Sequence, residues 1–144
     1  MSTMTLADLS KRMGKIDFAM LTTRTEGGQL ASRPMSNNGE VEYEGDSYYF
    51  TYDSARTVSD LAADPHAGLS FQGSGSLLGA PGIFIAVVGN GKLVRDKAAF
   101  AERWTSGLDR WFPQGVDTPG LVMVHVRASR IRYWDGEDEG ELEV

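Results

Sequence analysis

The order of β-type and helical segments constrains the fold of this chain more than any other feature of the sequence. Most segments are short runs of apolar, aromatic and β-branched residues that end at glycine or proline, which is typical of β-strands. Only three short stretches carry apolar residues at helical spacing, and they do not alternate regularly with the strands. This order argues against a Rossmann fold and predicts a mainly β, α+β protein built as an antiparallel barrel or sandwich.

The predicted strands include two hairpins and one interrupted strand. In chain order the strands cover residues 16–24, 29–37, 40–44, 47–52, 67–72, 83–95 and 121–134. Glu26-Gly27-Gly28 and Gly45-Asp46 supply the turns of the hairpins, and Gly89-Asn90-Gly91 indicates a β-bulge. The glycine-rich segment 73–82 lacks the spacing and the adjoining helix of a phosphate loop, so we interpret it as a connection.

Each of the three predicted helices has a recognisable beginning or end. The first follows Thr5 and runs to about Gly14. The second covers 54–64 and stops at Pro65, because proline cannot continue a helix. The third begins after Asp96, whose carboxylate can cap it.

Length and composition indicate one globular domain spanning residues 1–144. The net charge of -6 argues against nonspecific nucleic-acid binding, and no apolar run is long enough for a membrane helix.

The chain has no cysteine, and His66 and His125 lack a second ligand at helical or hairpin spacing, so no metal site is predicted. Without a recognisable secretory signal, the cytoplasm is the default location. The acidic segment from about residue 135, covering 135–143, suits a solvated tail.

Two arginine-containing motifs could bind an anion. In Arg33-Pro34 the proline cannot donate to a sheet, so this strand should lie at an edge or a bulge, where a guanidinium could hold a phosphate. In residues 50–57 a strand runs into a helix whose first amides can bind an anion. Each motif taken singly also fits a solvated arginine, or, for the second, a helix capped by Asp53 or Ser54.

Large aromatic residues are concentrated in the last third of the chain. They are Trp104, Trp111, Phe112, Tyr133 and Trp134. Rings of this kind usually belong to a core or a dimer interface, and they could also flank a planar cofactor.

Taken together and in this order, the motifs resemble the general stress protein branch of the FMN-binding split-barrel family, the superfamily that includes pyridoxamine 5'-phosphate oxidase. The resemblance runs through Ser32-Arg33-Pro34-Met35, FTYDSARTVSDLAADPHAGLSF, VVGNGKLVRDKAAFAERW, WFPQG and IRYWDG. It implies a six- or seven-stranded antiparallel split β-barrel with three short helices. It also implies a homodimer that binds flavin mononucleotide (FMN) between its subunits.

The resemblance assigns residues of this chain to the cofactor. In such proteins the phosphate is held by the arginine of the first strand motif and by groups at the start of the crossing helix, which implies Arg33, Arg56 and Thr57. Contacts with the flavin ring or the ribityl chain are implied for Pro34, Met35, Ser36, Phe50 and Thr51. An aromatic contact is implied for Trp134 of the partner subunit.

The chain departs from the oxidase at two positions. Where the oxidase has a Ser-Arg-Lys triplet, this chain has Ala55-Arg56-Thr57, which predicts weaker or more salt-sensitive FMN binding. After Trp134 an acidic segment replaces the arginine-containing segment that engages the oxidase's substrate, so a phosphorylated pyridoxamine would be repelled.

The resemblance implies a stress-related, flavin-dependent oxidoreductase or flavin reductase that exchanges electrons with a small-molecule donor or acceptor. The redox chemistry would belong to the FMN, and no side chain is predicted to act as a general base. A non-catalytic FMN-binding or sensing module in a stress response is an alternative. Haem or a deazaflavin on the same barrel is another, and haem would require His66 or His125 as an axial ligand.

Overall fold

Three α-helices and seven β-strands make up the computed structural model, which describes residues 4–37, 39 and 42–144. The helices are α1 (Leu6–Met13), α2 (Arg56–Ala63) and α3 (Lys97–Arg103). The strands are β1 (Phe18–Arg24), β2 (Leu30–Ser36), β3 (Asp46–Tyr52), β4 (His66–Gln72), β5 (Phe84–Val94), β6 (Leu121–Asp135) and β7 (Asp138–Glu143). Within the described ranges, no helix combines the length and the apolar character needed to cross a membrane.

All seven strands belong to one antiparallel sheet. Its strand order is β2-β1-β4-β5-β6-β3, and β7 pairs with β6 beside this path. The predicted mainly β, antiparallel architecture with three short helices is confirmed. Strand β2 stands at one end of the order, which is the edge position that Pro34 requires because it has no N–H to donate.

The main core lies on the inner face of the sheet and is closed by α1 and α2. Leu21, Ile85, Val124 and Ile131 are at most 2% exposed there, and Leu9 of α1 is fully buried. Burying a side chain of this size stabilises the fold by about 1.5–3 kcal/mol. A second, smaller cluster lies beside α3 and consists of Phe50, Phe100, Leu108, Phe112, Leu121 and Met123.

The predicted β-bulge in the long strand β5 is confirmed. The pairing register of β5 with β6 shifts between Val88 and Gly89. A Cβ atom at Gly89 would overlap the carbonyl oxygen of Arg127 on the neighbouring strand. Only glycine therefore allows the two backbones to approach this closely at the bulge.

The second predicted hairpin does not form. Residues 40 and 41 of its first arm lie outside the described residues, and residues 42–44 are not in a strand. Strand β3 pairs instead with β6, which brings Tyr49 opposite Val124 and Phe50 opposite Met123. The apolar β6 offers these rings a buried partner, whereas the acidic segment 40–44 could not.

The acidic segment predicted to be a solvated tail forms strand β7 on β6. The chain reverses at Gly136, whose φ of 65° favours glycine. Arg130 of β6 lies opposite Glu143 and approaches Glu141 to 3.4 Å, so the strand pairs some of the negative charge of this segment. The composition of the segment indicated exposure correctly, but it carried no information about the neighbouring strand and its arginines.

A bidentate ion pair ties α1 to the end of β6. The Arg12 guanidinium donates to both carboxylate oxygens of Asp135, at 2.8 and 3.2 Å. These hydrogen bonds lower the pKa of Asp135 below its ordinary value. A carboxyl group with a lowered folded-state pKa adds stability above its unfolded pKa, and this contribution is lost as the pH falls through the folded value.

We predict that Asp135→Asn lowers the free energy of unfolding by about 0.5–1 kcal/mol at neutral pH, a modest value because both side chains are about a third exposed and are screened by water. The difference from the wild type should shrink below pH 3.8, the ordinary value for aspartate. Urea denaturation between neutral pH and about pH 3 measures it. The exposed Asp138→Asn is the control, and a difference that does not change with pH would contradict the prediction.

Candidate functional site

A cavity of about 340 Å³ opens between the edge strand β2, the start of α2 and the segment that joins α3 to β6. This volume lies in the range of small-molecule sites. The residues that line it are Phe18, Arg33, Pro34, Met35, Ser36, Phe50, Thr51, Ala55, Thr57, Leu108, Trp111 and Phe112.

The cavity brings together seven of the nine residues that the family resemblance assigned to the cofactor. They are Arg33, Pro34, Met35, Ser36, Phe50, Thr51 and Thr57. These residues come from β2, β3 and α2, and the two strands stand at opposite ends of the strand order. The sheet must therefore curl until its ends approach each other before these residues can line one cavity.

The other two assigned residues, Arg56 and Trp134, do not line this cavity. Arg56 is exposed at the first position of α2, between the lining residues Ala55 and Thr57. Trp134 lies in a separate open groove on the outer face of the sheet, together with Phe84. Phe18 lines both the groove and the cavity, so the two spaces are neighbours.

Arg33 projects from the edge strand towards α2 and is held there by several acceptors. Its Nη1 donates to Thr23 Oγ1 at 2.7 Å and to the carbonyl oxygen of Leu21 at 3.3 Å. Its Nη2 lies 3.4 Å from Asp60 Oδ2. Because guanidinium carries five N–H donors, this arrangement leaves others available for a ligand in the cavity.

The start of α2 is open to an anion. Its N-cap residue is Ala55, and in the described part of the chain no side chain caps this helix. The alternative interpretation, a cap by Asp53 or Ser54, is wrong, and Asp53 instead pairs with Arg95 at 2.8 Å. The first amides of α2 thus lack a side-chain acceptor, and they lie beside the lining residue Thr57.

Aromatic side chains form an apolar part of the cavity wall. The ring of Trp104 makes edge-to-face contacts with the rings of Phe50 and Phe112, at centroid distances of 4.9 and 5.8 Å. Trp104 is itself fixed by a hydrogen bond from its Nε1 to Asp109 at 2.9 Å. Trp111, 47% exposed, stands at the rim of the cavity. Such a wall suits the face of a planar ring.

The late aromatic residues therefore divide among three locations. Trp104, Trp111 and Phe112 belong to the cavity and its wall, Tyr133 is buried in the main core, and Trp134 faces the outer groove. Their closeness in sequence did not indicate this division, since alternate residues of β6 face opposite sides of the sheet.

Sequence reasoning missed two lining residues, Phe18 and Leu108. Phe18 begins β1 and is 51% exposed although it is a large apolar residue, an exposure that its sequence neighbours do not reveal. Leu108 lies in a short turn of helix after α3, where no periodic pattern exists. Only the apposition of distant segments brings them to the cavity.

Among the described residues, Arg33 is the only ionisable side chain that lines the cavity. Neither histidine lies there. His66 contacts Asp64 at 2.6 Å, and His125 contacts Asp46 at 2.7 Å while stacking on Tyr48. The lining that the structure describes therefore contains no carboxylate that could act as a base and no histidine that could serve as an axial ligand for haem.

A curled antiparallel sheet with a cavity lined by one arginine and several aromatic rings defines a small β protein whose cavity suits an anionic, partly planar ligand. The family model described as pyridoxamine 5'-phosphate oxidase like matches residues 5–144, and the chain belongs to this family. The family resemblance predicted from the sequence is confirmed. A comparison with curated proteins found no match.

Solved structures share the fold. A Clostridium acetobutylicum protein related to general stress protein 26 superposes with a TM-score of 0.79 at 19% identity, over 96% of this chain and 94% of that one. The general stress FMN/FAD binding protein of Xanthomonas citri gives 0.74 at 20% identity, over 92% and 89%. A heme binding protein of Mycobacterium smegmatis gives 0.77 at 15% identity, over 99% of this chain and 60% of that one. At these identities the likenesses show the fold alone.

Proposed function

We propose that this protein is a homodimeric flavoprotein that binds FMN in the cavity between β2, β3 and α2 and works as a flavin-dependent oxidoreductase. Seven residues assigned to FMN from sequence motifs line one cavity, and this convergence is the observation that carries the proposal. A chance gathering of two separate motifs around one space of ligand size would be unusual.

The charges and the shape of the cavity fit the two halves of FMN. Arg33, Thr57 and the first amides of α2 would hold the phosphate through charge-assisted hydrogen bonds. The aromatic lining residues Phe50 and Phe112 would pack on the flavin ring and exclude water from one of its faces. Bound FMN would supply the redox chemistry through its isoalloxazine ring, and the protein would supply binding and orientation.

The outer face of the sheet supports a homodimer. Large apolar side chains are exposed there on β1 and β5, the two strands that flank β4: Phe18 at 51%, Met20 at 42%, Phe84 at 42% and Val88 at 57%. We name these four residues, together with Trp134, the outer apolar face. A cluster of this kind is typical of a surface that a second subunit covers.

A second copy on the outer apolar face would also complete the cofactor site. Trp134 does not line the cavity of its own chain, while Phe18 belongs to both the cavity and the groove that contains Trp134. An isologous dimer on this face would bring the partner's Trp134 towards the cavity opening, because each subunit presents the same patch to the other.

FMN is favoured over haem because no histidine is among the described lining residues, whereas Arg33 lines the cavity and the uncapped start of α2 lies beside it. The absence of a base from the described lining also supports a second candidate function, a non-catalytic FMN-binding module in a stress response. Electron transfer from a reduced nicotinamide requires no such base, so the same observation is compatible with an enzyme.

Titration of the pure protein with FMN tests the proposal, and we expect quenching of flavin fluorescence with one FMN per chain and a dimeric mass in solution. NADH or NADPH oxidation measured with and without bound FMN then separates the two functions. Turnover well above that of free FMN would exclude the pure binding module, and none with either donor would exclude a nicotinamide-driven reductase. A protein that leaves the fluorescence of added FMN unchanged would overturn both functions.

A further inference from the structure

Asp60 is a buried carboxylate whose hydrogen bonds lead to the cavity. It lies on α2, its side chain is 5% exposed, and its Oδ2 accepts a hydrogen bond from Thr23 Oγ1 at 2.9 Å. Thr23 is 1% exposed and in turn accepts a hydrogen bond from Arg33. Buried polar groups are costly unless they are paired, so these three side chains specify one another's positions.

The helix that carries Asp60 also carries the predicted phosphate contact Thr57. The two residues are three positions apart, hence on the same face of α2, and both are buried. Arg33 comes from the sheet, and its contact with Asp60 is its direct link to the helix among the described hydrogen bonds. Asp60 therefore fixes the position of the Arg33 side chain relative to α2.

We propose that Asp60 and Thr23 are positioning residues that fix the Arg33 guanidinium against α2 and thereby set the preference for a flavin carrying a phosphate monoester over an unphosphorylated flavin. Neither residue lines the cavity, so neither touches the ligand. Their effect passes through Arg33 alone. This inference rests on the proposed function, since it assumes that the phosphate of FMN binds at Arg33.

The test measures the ratio of the riboflavin dissociation constant to the FMN dissociation constant. Thr23→Val keeps the shape of the side chain and removes both hydroxyl hydrogen bonds, so we expect the ratio to fall at least fivefold with riboflavin affinity unchanged. Thr23→Ser restores the hydroxyl and should give a ratio within twofold of the wild type. Asp60→Ala should lower the ratio at least as much as Thr23→Val, whereas the control Asp64→Ala at the end of the same helix should not.

An Arg33→Ala background separates positioning from general destabilisation. If Thr23 acts only through Arg33, Thr23→Val should cause no further change in that background. An unchanged ratio in Thr23→Val, equal losses of both ligands, or a further loss in the Arg33→Ala background would overturn this inference while leaving FMN binding intact. A wild-type protein that binds neither flavin would overturn the proposed function first and this inference with it.

Discussion

Arg33→Ala is expected to weaken FMN binding by about 2 kcal/mol, roughly thirtyfold, while riboflavin binding changes less than threefold. The reason is that Arg33 is the only cationic side chain among the described residues lining the cavity, and riboflavin lacks the phosphate that this cation would bind. Fluorescence titrations with both flavins measure the two affinities under identical conditions.

The substitution also removes a contact of Asp60, so its effect on folding must be separated from its effect on binding. Breaking a pair in which one carboxylate is buried commonly costs a few kcal/mol of stability. Titrations should therefore be made well below the unfolding temperature, with the folded state checked by circular dichroism. Arg127→Ala is the matched control, because Arg127 is also a strand arginine paired with an aspartate, Asp46 at 3.0 Å, but lies outside the cavity.

Two results would contradict this prediction. Equal losses of FMN and riboflavin would mean that the phosphate does not bind at Arg33. Unchanged affinities for both would mean that the cavity is not the flavin site.

Phe84→Glu is expected to raise the dissociation constant of the homodimer at least a hundredfold, which corresponds to about 3 kcal/mol. Phe84 is 42% exposed on the outer apolar face, so the proposed partner would bury a new charge there without a counter-ion. The fold of the single chain depends little on this side chain, and unfolding of the separated subunit should change by about 0.5 kcal/mol or less. Sedimentation at a series of protein concentrations measures the dissociation.

FMN affinity should fall in the same variant, because a separated subunit lacks the aromatic contact that the partner's Trp134 would supply. Ala101→Glu introduces the same charge at an exposed position of α3 and should leave both the dimer and FMN affinity unchanged. A Phe84→Glu protein that remains dimeric would show that another surface forms the interface. A wild-type chain that binds FMN tightly as a monomer would contradict the proposed layout altogether.

Much of the local structure could be predicted from the sequence. The first hairpin, the three helices and the bulge at Gly89 follow from patterns within a few residues: periodicity, capping groups and glycines where backbones come close. The resemblance in motif order also indicated the family and the cavity-lining residues of β2, β3 and α2. The hairpin, the helices and the bulge could be predicted because each of them is determined by residues close together in the chain.

The tertiary structure alone decided which distant segments meet. The partner of β3, the pairing of the acidic segment as β7, and the contributions of Phe18 and Leu108 to the cavity depend on competition among strands and on the curl of the sheet. Asp60 illustrates the physical reason. Its sequence position indicates only a polar residue on a short helix, whereas burial against Thr23 and Arg33 makes it part of the candidate site. The energetic contribution of a polar side chain depends on how far it is removed from water, and the whole fold determines this burial.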